Sequence, residues 1–282
     1  MAVRIGVLEQ RAREPNVPRQ PTHYLHMNTP RFVRIGLLAG AFFLFTGMMH
    51  AETAEALMAK GDVFDKQFKA AEALENYLPA EKLEPKNAPL MVRIARQYRH
   101  LMSDASDKNE KLRLGRLSLD YAQRAATLAP NDSEAQLSPA ISYGKMAPFL
   151  PSKEQANASS RIKQSVDRAL QLDPKNDTAW YILGRWNRVL ADINPLKRLL
   201  AGALYGSLPV TTYDAAEKCV LKAIAINPNR PIHYIELGRI YAAMGRKDDA
   251  RKFLLKGTSM PNREKDDPEM KEIARDLLKK LG

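Results

Sequence analysis

The sequence predicts an all-α protein in which about five pairs of helices stack into a right-handed superhelix, with one more helix capping the C-terminal end. Three observations support this prediction. Glycine is scarce, and residues that favour helices are abundant. Prolines 85, 130, 174 and 228 recur 45, 44 and 54 residues apart. Small residues also recur where paired helices would cross, and bulky residues where they would interlock.

The stretch from Ala169 to Trp186 shows the repeating pattern most clearly. Pro174 disfavours a helical residue before it, so one helix should end near Leu172 or Asp173. Asp177 is predicted to cap the next helix. In that helix the spacing W-x2-L-G, given by Trp180, Leu183 and Gly184, is typical of the opening of a tetratricopeptide repeat (TPR).

Five such units follow one another, and stacked units bury the apolar face that a single hairpin leaves open. The first, Ala54–Asn87, fits the 34-residue repeat without gaps, whereas Gln136 and Pro139 depart from it in the third. The second to fourth units are 11, 10 and 20 residues longer than the repeat. We expect the extra residues between the two helices of each pair, near Ser103–Arg113, Met146–Ala158 and Ala191–Val210. The alternative is a non-repeating helical bundle.

The superhelix is predicted over residues 52–261 and the capping helix within residues 262–282. In that helix, Glu269–Leu281, the expected apolar stripe consists of Ile273, Leu277 and Leu281. Its other faces are charged, which suits a helix that ends a stack.

The N-terminal region is predicted to be a targeting segment rather than part of the fold. Residues 1–26 have no periodic apolar face and are expected to be a disordered extension; Met27 makes a more typical start. Arg31 and Arg34 precede an apolar run, Ile35–Met49, that is too short to cross a bilayer. Residues 27–51 therefore resemble a signal peptide, and we expect a periplasmic or secreted protein. The alternatives are an uncleaved N-terminal anchor, because bulky Met49 lies near the cleavage site, and a mitochondrial presequence.

Charge and composition limit the possible functions. The net charge is +12, and +8 remains without residues 1–51, so an acidic protein, an anionic lipid or a nucleic acid would be attracted. The single cysteine, Cys219, excludes an intramolecular disulfide and is interpreted as a helix-packing residue. After Ala51 the only histidines are His100 and His233. No catalytic or phosphate-binding motif occurs, so we expect no enzyme, metal or cofactor.

The concave wall of the predicted superhelix is basic through its middle. Counting along the repeats places eight candidate ligand-binding residues there: Arg96, Arg99, His100, Lys145, Tyr181, Arg185, Arg188 and Arg239. The first unit contributes Glu55, Asp62 and Asp65 instead. Arginine forks suit carboxylates and phosphates, so an acidic or carboxylate-ended protein segment or an anionic head group would fit. The alternative is that these arginines only pair with acids on neighbouring helices. Nucleic acid is disfavoured because interleaved aromatic residues are missing.

The insert of the fourth unit contains an amphipathic stretch beside Lys197 and Arg198. Its apolar face consists of Leu196, Leu199, Leu200, Ala203 and Leu204. We expect this face to fold back over its own repeat and lengthen the core; the alternative is that it lies on a membrane or docks a partner.

The fourth unit also carries a family resemblance. The run LGRW (Leu183–Trp186), the basic amphipathic insert with Leu208-Pro209, and the closing helix Tyr213–Pro228 resemble the TPR proteins called regulators of microtubule dynamics. The resemblance extends from about Glu52 to the C-terminus. It implies a helical scaffold that binds partners and has no catalytic residues. Eukaryotic members are linked to microtubules and to mitochondrial or endoplasmic-reticulum membranes, which implies a membrane-associated tethering or lipid-binding module as the alternative function.

Overall fold

The computed structural model describes residues 52–196, 198–199, 202 and 209–282, and the predicted extension and signal segment lie outside this part. Within these ranges the chain forms eleven α-helices and no strand, which confirms the all-α prediction. The helices are α1 (Ala54–Asp65), α2 (Ala70–Leu83), α3 (Ala88–Asp104), α4 (Lys108–Leu128), α5 (Ser133–Met146), α6 (Ser152–Leu172), α7 (Asp177–Ala191), α8 (Tyr213–Ile226), α9 (Pro231–Ala243), α10 (Lys247–Ser259) and α11 (Asp267–Leu281).

The helices form five consecutive pairs, α1–α2 to α9–α10, and α11 packs on the last pair. Successive pairs stack on one another, as the superhelix predicted from the sequence requires. The crossing points are filled by alanines that are almost completely buried: Ala73, Ala80, Ala122, Ala125, Ala158, Ala169, Ala216, Ala223 and Ala250. The fold is therefore a TPR superhelix with a C-terminal capping helix.

Two glycines show why small residues are needed at the crossings. A Cβ atom on Gly184 would lie 2.4 Å from Cγ2 of Val220 in α8. A Cβ atom on Gly61 would lie 2.3 Å from the ring of Tyr77 in α2. These contacts are far inside van der Waals distance, so only glycine lets the paired helices approach this closely.

Side-chain caps fix where many of the helices begin. Thr53, Asn87, Asp107, Asp132, Asn176 and Thr212 each accept a hydrogen bond from the backbone N–H three residues later. The prediction that Asp177 caps α7 is wrong, because Asn176 is the cap. The carboxylate of Asp177 instead contacts Arg230, with Oδ2 3.0 Å from Nη1. Helix α6 ends at Leu172, as Pro174 predicted.

The extra residues of the second and third pairs extend helices, which corrects the prediction of segments inserted between them. Helices α4 and α6 each have 21 residues, and only residues 105–107 separate α3 from α4. The departures in α5 also have a physical reason. Gln136 donates through Nε2 to the carbonyl oxygens of Ala126 and Ala129 at the end of α4, at 2.7 and 3.2 Å. Pro139 is buried inside α5.

The apolar stripe of α11 differs by one residue from the prediction. Ile273 is 40% exposed, whereas Met270 and Ala274 are buried against Ile235 and Leu254. Leu277 and Leu281 complete the stripe. Positions 270, 274, 277 and 281 follow the helical period, and position 273 lies to one side of it.

The insert after α7 is described only in part. Leu196 is 66% and Leu199 is 70% exposed, so the expectation that this face folds back into the core is wrong for these two leucines. Leu200 and Leu204 lie outside the described residues. Arg198 ties the segment to the repeat by donating to the carbonyl oxygens of Leu190 and Pro209. Over the described residues, no helix combines the length and apolar character needed to cross a bilayer.

Candidate functional site

The first helices of the pairs, which the repeats predict to form the concave wall, contact one another in series: α3 with α5, α5 with α7, and α7 with α9. All eight predicted groove residues lie on these four helices. The wall brings three of them around one carboxylate. We call Arg185, Arg188 and Arg239, together with Glu236, the arginine cluster.

Glu236 is the centre of the arginine cluster and is completely buried. Its Oε1 accepts from Nε of Arg188 at 2.6 Å, and its Oε2 accepts from Nη1 of Arg239 at 3.1 Å. Burial alone would raise the pKa of Glu236, but Arg188, Arg239 and Arg185 outweigh it and hold the pKa below its ordinary value. Arg188 also donates to Asp192 at 2.9 Å. Two of the three arginines are thus paired inside the chain.

Arg185 and Tyr181 lie one turn apart on α7 and interact with each other. Arg185 makes no ion pair with a carboxylate within the described ranges. One turn earlier on α7, the Tyr181 hydroxyl is buried beside the Arg185 guanidinium, and no described residue meets it in full hydrogen-bond geometry. Its ring packs on His233, with 5.7 Å between the centroids. Burial raises the pKa of Tyr181 and outweighs the opposite effect of nearby Arg185, so the hydroxyl keeps its proton and can donate it.

Arg99 and His100 form a second buried group on α3. Among the residues that the structure describes, Arg99 donates to two hydroxyls, with Nη1 3.2 Å from Ser142 Oγ and 3.4 Å from Ser138 Oγ. Burial lowers the pKa of Arg99 to about 9, and nearby Arg96 contributes. Burial, with Arg99 beside it, also lowers the pKa of His100 to about 4. The Nδ1 atom of His100 has no hydrogen-bond partner in the described part of the chain.

The remaining predicted groove residues pair with acids of the same chain. Nη1 of Arg96 lies 3.0 Å from Oδ2 of Asp65. Lys145 donates to Asp266, which precedes α11. These pairs match the alternative in which groove charges are satisfied by neighbouring segments.

Two of the three acids predicted for the first unit, Asp62 and Asp65, are paired in the same way. Asp62 accepts from Nε of Arg93 at 2.8 Å and from the Tyr77 hydroxyl at 2.6 Å. Burial would raise the pKa of Asp62, but Arg93 and Tyr77 outweigh it and lower it. The charges of both aspartates are therefore balanced by arginines of the same chain.

Sequence reasoning missed Glu236 and Asp266. The position of Glu236 in the repeat is not one that faces the groove, and only its location between apolar Ile235 and Leu237 marks it as unusual. Asp266 lies outside the repeats, so repeat positions do not identify it.

Other candidate features lie apart from the groove. Cys219 is buried and accepts from Nδ2 of Asn187 at 3.7 Å, and burial raises the pKa of its thiol, as befits a packing residue. A cavity of about 660 Å³ opens between α4, α5 and α6, but none of the eight predicted groove residues lines it. Among the residues given in the structure, no group of three His, Cys, Asp or Glu side chains is placed to hold a metal ion.

Comparison with known proteins adds an independent finding. Residues 54–282 match the model of the family described as regulator of microtubule dynamics protein 1-3. Regulator of microtubule dynamics protein 1 of Mus musculus is 26% identical over 236 residues, which cover 82% of this chain and 76% of the mouse protein. The Caenorhabditis elegans protein of that name is 29% identical over 161 residues, which cover 57% of this chain and 71% of the relative.

One solved structure supports the fold alone. The crystal structure of TTC0263, a thermophilic TPR protein in Thermus thermophilus, superposes with a TM-score of 0.56 at 15% identity. The superposition covers 79% of this chain and 99% of that chain.

Proposed function

The chain belongs to the regulator of microtubule dynamics family, and from this premise we propose that it is a non-enzymatic scaffold that binds a protein partner in its basic concave groove. The partner presents an acidic or carboxylate-ended segment. The observation that carries the proposal is the pair on α7: Arg185 lacks an ion pair with a carboxylate within the described ranges, and it lies beside the buried hydroxyl of Tyr181.

A carboxylate is the ligand that suits this pair. The arginine cluster has three guanidinium groups around one buried carboxylate, and of these three arginines Arg188 is the one that pairs with Asp192 in the described part of the chain. A buried donor without a partner costs about 1–3 kcal/mol. A carboxylate placed between Arg185 and the Tyr181 hydroxyl would accept from both, and bonds to ionised groups are the stronger kind.

Peptide binding tests the proposal. The probe is a fluorescently labelled peptide of eight residues, rich in glutamate and ending in a free carboxylate, and the same peptide with glutamine for glutamate is the control ligand. We expect Arg185→Glu to weaken binding at least tenfold. Arg161→Glu makes the same charge change on an exposed residue of α6 and should change the affinity less than twofold; within the described residues, Arg161 donates one side-chain hydrogen bond, to Gln164 at 3.4 Å. Equal effects of the two variants, or no binding by the wild-type protein, would overturn the proposal.

We also propose that residues 27–51 direct export and are removed. Their positive flank and short apolar run support this, and microtubule binding is therefore not part of the proposal. N-terminal sequencing of the mature protein, together with cell fractionation, tests it. A mature protein that begins before residue 51 and fractionates with membranes would instead support an N-terminal anchor.

A membrane-associated tethering or lipid-binding module is the second candidate, because Leu196 and Leu199 are exposed within the basic insert of the fourth unit. Flotation of the protein lacking residues 1–51 with anionic liposomes tests it. Binding that is lost in Leu196→Gln/Leu199→Gln but kept in Leu83→Gln/Leu255→Gln, which changes two other exposed leucines, would support this candidate. An absence of flotation would reject it.

A further inference from the structure

The segment between α10 and α11 makes a contact across the groove that the repeat pattern does not require. Three consecutive residues reach three different helices or their ends. Glu264 lies 3.4 Å from Nη2 of Arg230, next to α9. Lys265 lies 2.8 Å from Asp104 at the end of α3. Asp266 accepts from Lys145 on α5 and, at 3.0 Å, from the hydroxyl of Ser103 on α3.

The side chain of Asp266 bonds to α3 and α5 instead of capping its own helix. It occupies the N-cap position of α11, where an aspartate normally accepts a backbone N–H, but its side chain makes no capping bond. Burial would raise its pKa, yet Lys145 outweighs burial and keeps the carboxylate ionised with a pKa below its ordinary value. The side chain is therefore used as a ligand of the groove.

The segment is held in shape from within. The carboxylate of Asp267 is completely buried, and its Oδ2 accepts from the backbone N–H groups of Arg263 and Glu264 at 2.6 and 2.9 Å. Lys271 donates to the carbonyl oxygen of Met260 and, at 2.6 Å, to the side chain of Asn262. The turn thus presents its outer carboxylates to the groove in a fixed arrangement.

We propose that Glu264, Lys265 and Asp266 form an intramolecular ligand that occupies the groove and that an acidic protein partner displaces. The inference rests on the function proposed above and adds its regulation. The partner supplies two carboxylates separated by one residue, which replace those of Glu264 and Asp266 on Arg230 and Lys145. The side chains of Glu264 and Asp266 are 48% and 36% exposed, so a partner can reach both carboxylates from solvent.

Groove electrostatics support this choice of partner. Asp266 lies near enough to act on the charges of Arg99, His100, Lys145 and Arg185, so its carboxylate reduces the positive potential that an acidic segment would meet. Displacing it restores that potential. A ligand that binds only the open groove gains affinity in proportion to the population of the open state.

The test uses Asp266→Asn in the full chain, with Asp276→Asn as the matched control. Asp276 lies on α11, and its one ion pair within the described residues is an exposed pair with Lys279 at 3.1 Å. Hydrogen exchange measures release of the segment, and the glutamate-rich peptide measures the open groove. We expect Asp266→Asn to speed exchange in residues 260–267 and to tighten peptide binding about five- to tenfold, whereas Asp276→Asn changes neither.

A second variant separates competition from simple loosening. Lys145→Gln also breaks the contact and should speed exchange, but it removes the cation that the partner needs, so the peptide should bind no more tightly than to wild type. If the peptide binds the wild-type protein but Asp266→Asn does not bind it more tightly, the intramolecular ligand is refuted and the groove function stands. If the peptide binds neither protein, the groove function itself fails, and the competition with it.

Discussion

The buried carboxylate of Glu236 offers the sharpest test of the groove electrostatics. Glu236→Gln keeps the shape of the side chain but removes the charge that Arg188 and Arg239 share. Glu236 is 0% exposed and its two bonds are 2.6 and 3.1 Å long, so Arg188 would be left as a buried cation compensated only by Asp192 at the edge. Breaking a buried pair from one side costs about 3–5 kcal/mol.

This loss of unfolding free energy is large enough to measure by thermal melting. For a domain of this size each kcal/mol shifts Tm by about 2–4 °C, so Glu236→Gln should lower Tm by roughly 6–20 °C. The control is Glu272→Gln, which breaks an exposed pair with Arg275 at 2.9 Å and should cost less than about 1 kcal/mol. Circular dichroism at 222 nm follows both variants. A Tm for Glu236→Gln no lower than that of the control would show that this carboxylate does not hold the arginine cluster together.

Three further predictions concern packing, a buried hydrogen bond and pH. Gly184→Ala, whose Cβ would meet Val220 at 2.4 Å, should lower the free energy of unfolding in urea by about 1–3 kcal/mol. The control Gly144→Ala, with no atom within 4 Å of the added Cβ, should raise it by about 0.5–1 kcal/mol. Equal effects would contradict the close crossing. Tyr77→Phe removes the 2.6 Å bond to Asp62 and should lower the urea midpoint by the equivalent of about 1–3 kcal/mol. Burial lowers the pKa of His100 from 6.5 to about 4, so between these pH values the unfolded chain binds a proton that the folded chain does not. The stability that this histidine contributes is therefore present above pH 6.5, and the free energy of unfolding falls by about 3 kcal/mol as the pH drops to 4. His100→Asn should flatten that slope, and an unchanged slope would place the titration elsewhere.

The repeats could be read from the sequence because their determinants are local. Small residues at crossings and prolines after the second helices recur at short, fixed intervals, so Gly184 and Pro174 mark the fold without knowledge of the rest. The same counting assigned Arg185 and Arg188 to the first helix of the fourth pair, and both lie on α7. The lengths of the helices could not be read this way. The polar stretch before α4 resembles a loop, yet Asp107 caps a helix there and the pair of Glu110 and Arg113 supports its first turn.

The charge state of the groove depended on contacts between distant parts of the chain. Glu236 meets Arg188 across a sequence separation of 48 residues, and its burial follows from how α7 and α9 stack. Asp266 meets Lys145 across 121 residues and belongs to no repeat. Periodicity carries no information on such pairs, so the sequence predicted a row of basic side chains but not which of them were already neutralised.

The contact between Ser103 and Asp266 joins residues 163 positions apart. In an open stack of repeats each unit touches only its neighbours, so the array can assemble from any unit and fray from either end. Here the segment that follows the fifth pair bonds, through Asp266, to Ser103 in the second pair and to Lys145 in the third. The tie raises the contact order, which slows folding relative to an open stack, and it couples the last hairpin to the middle of the array for as long as the segment stays in place.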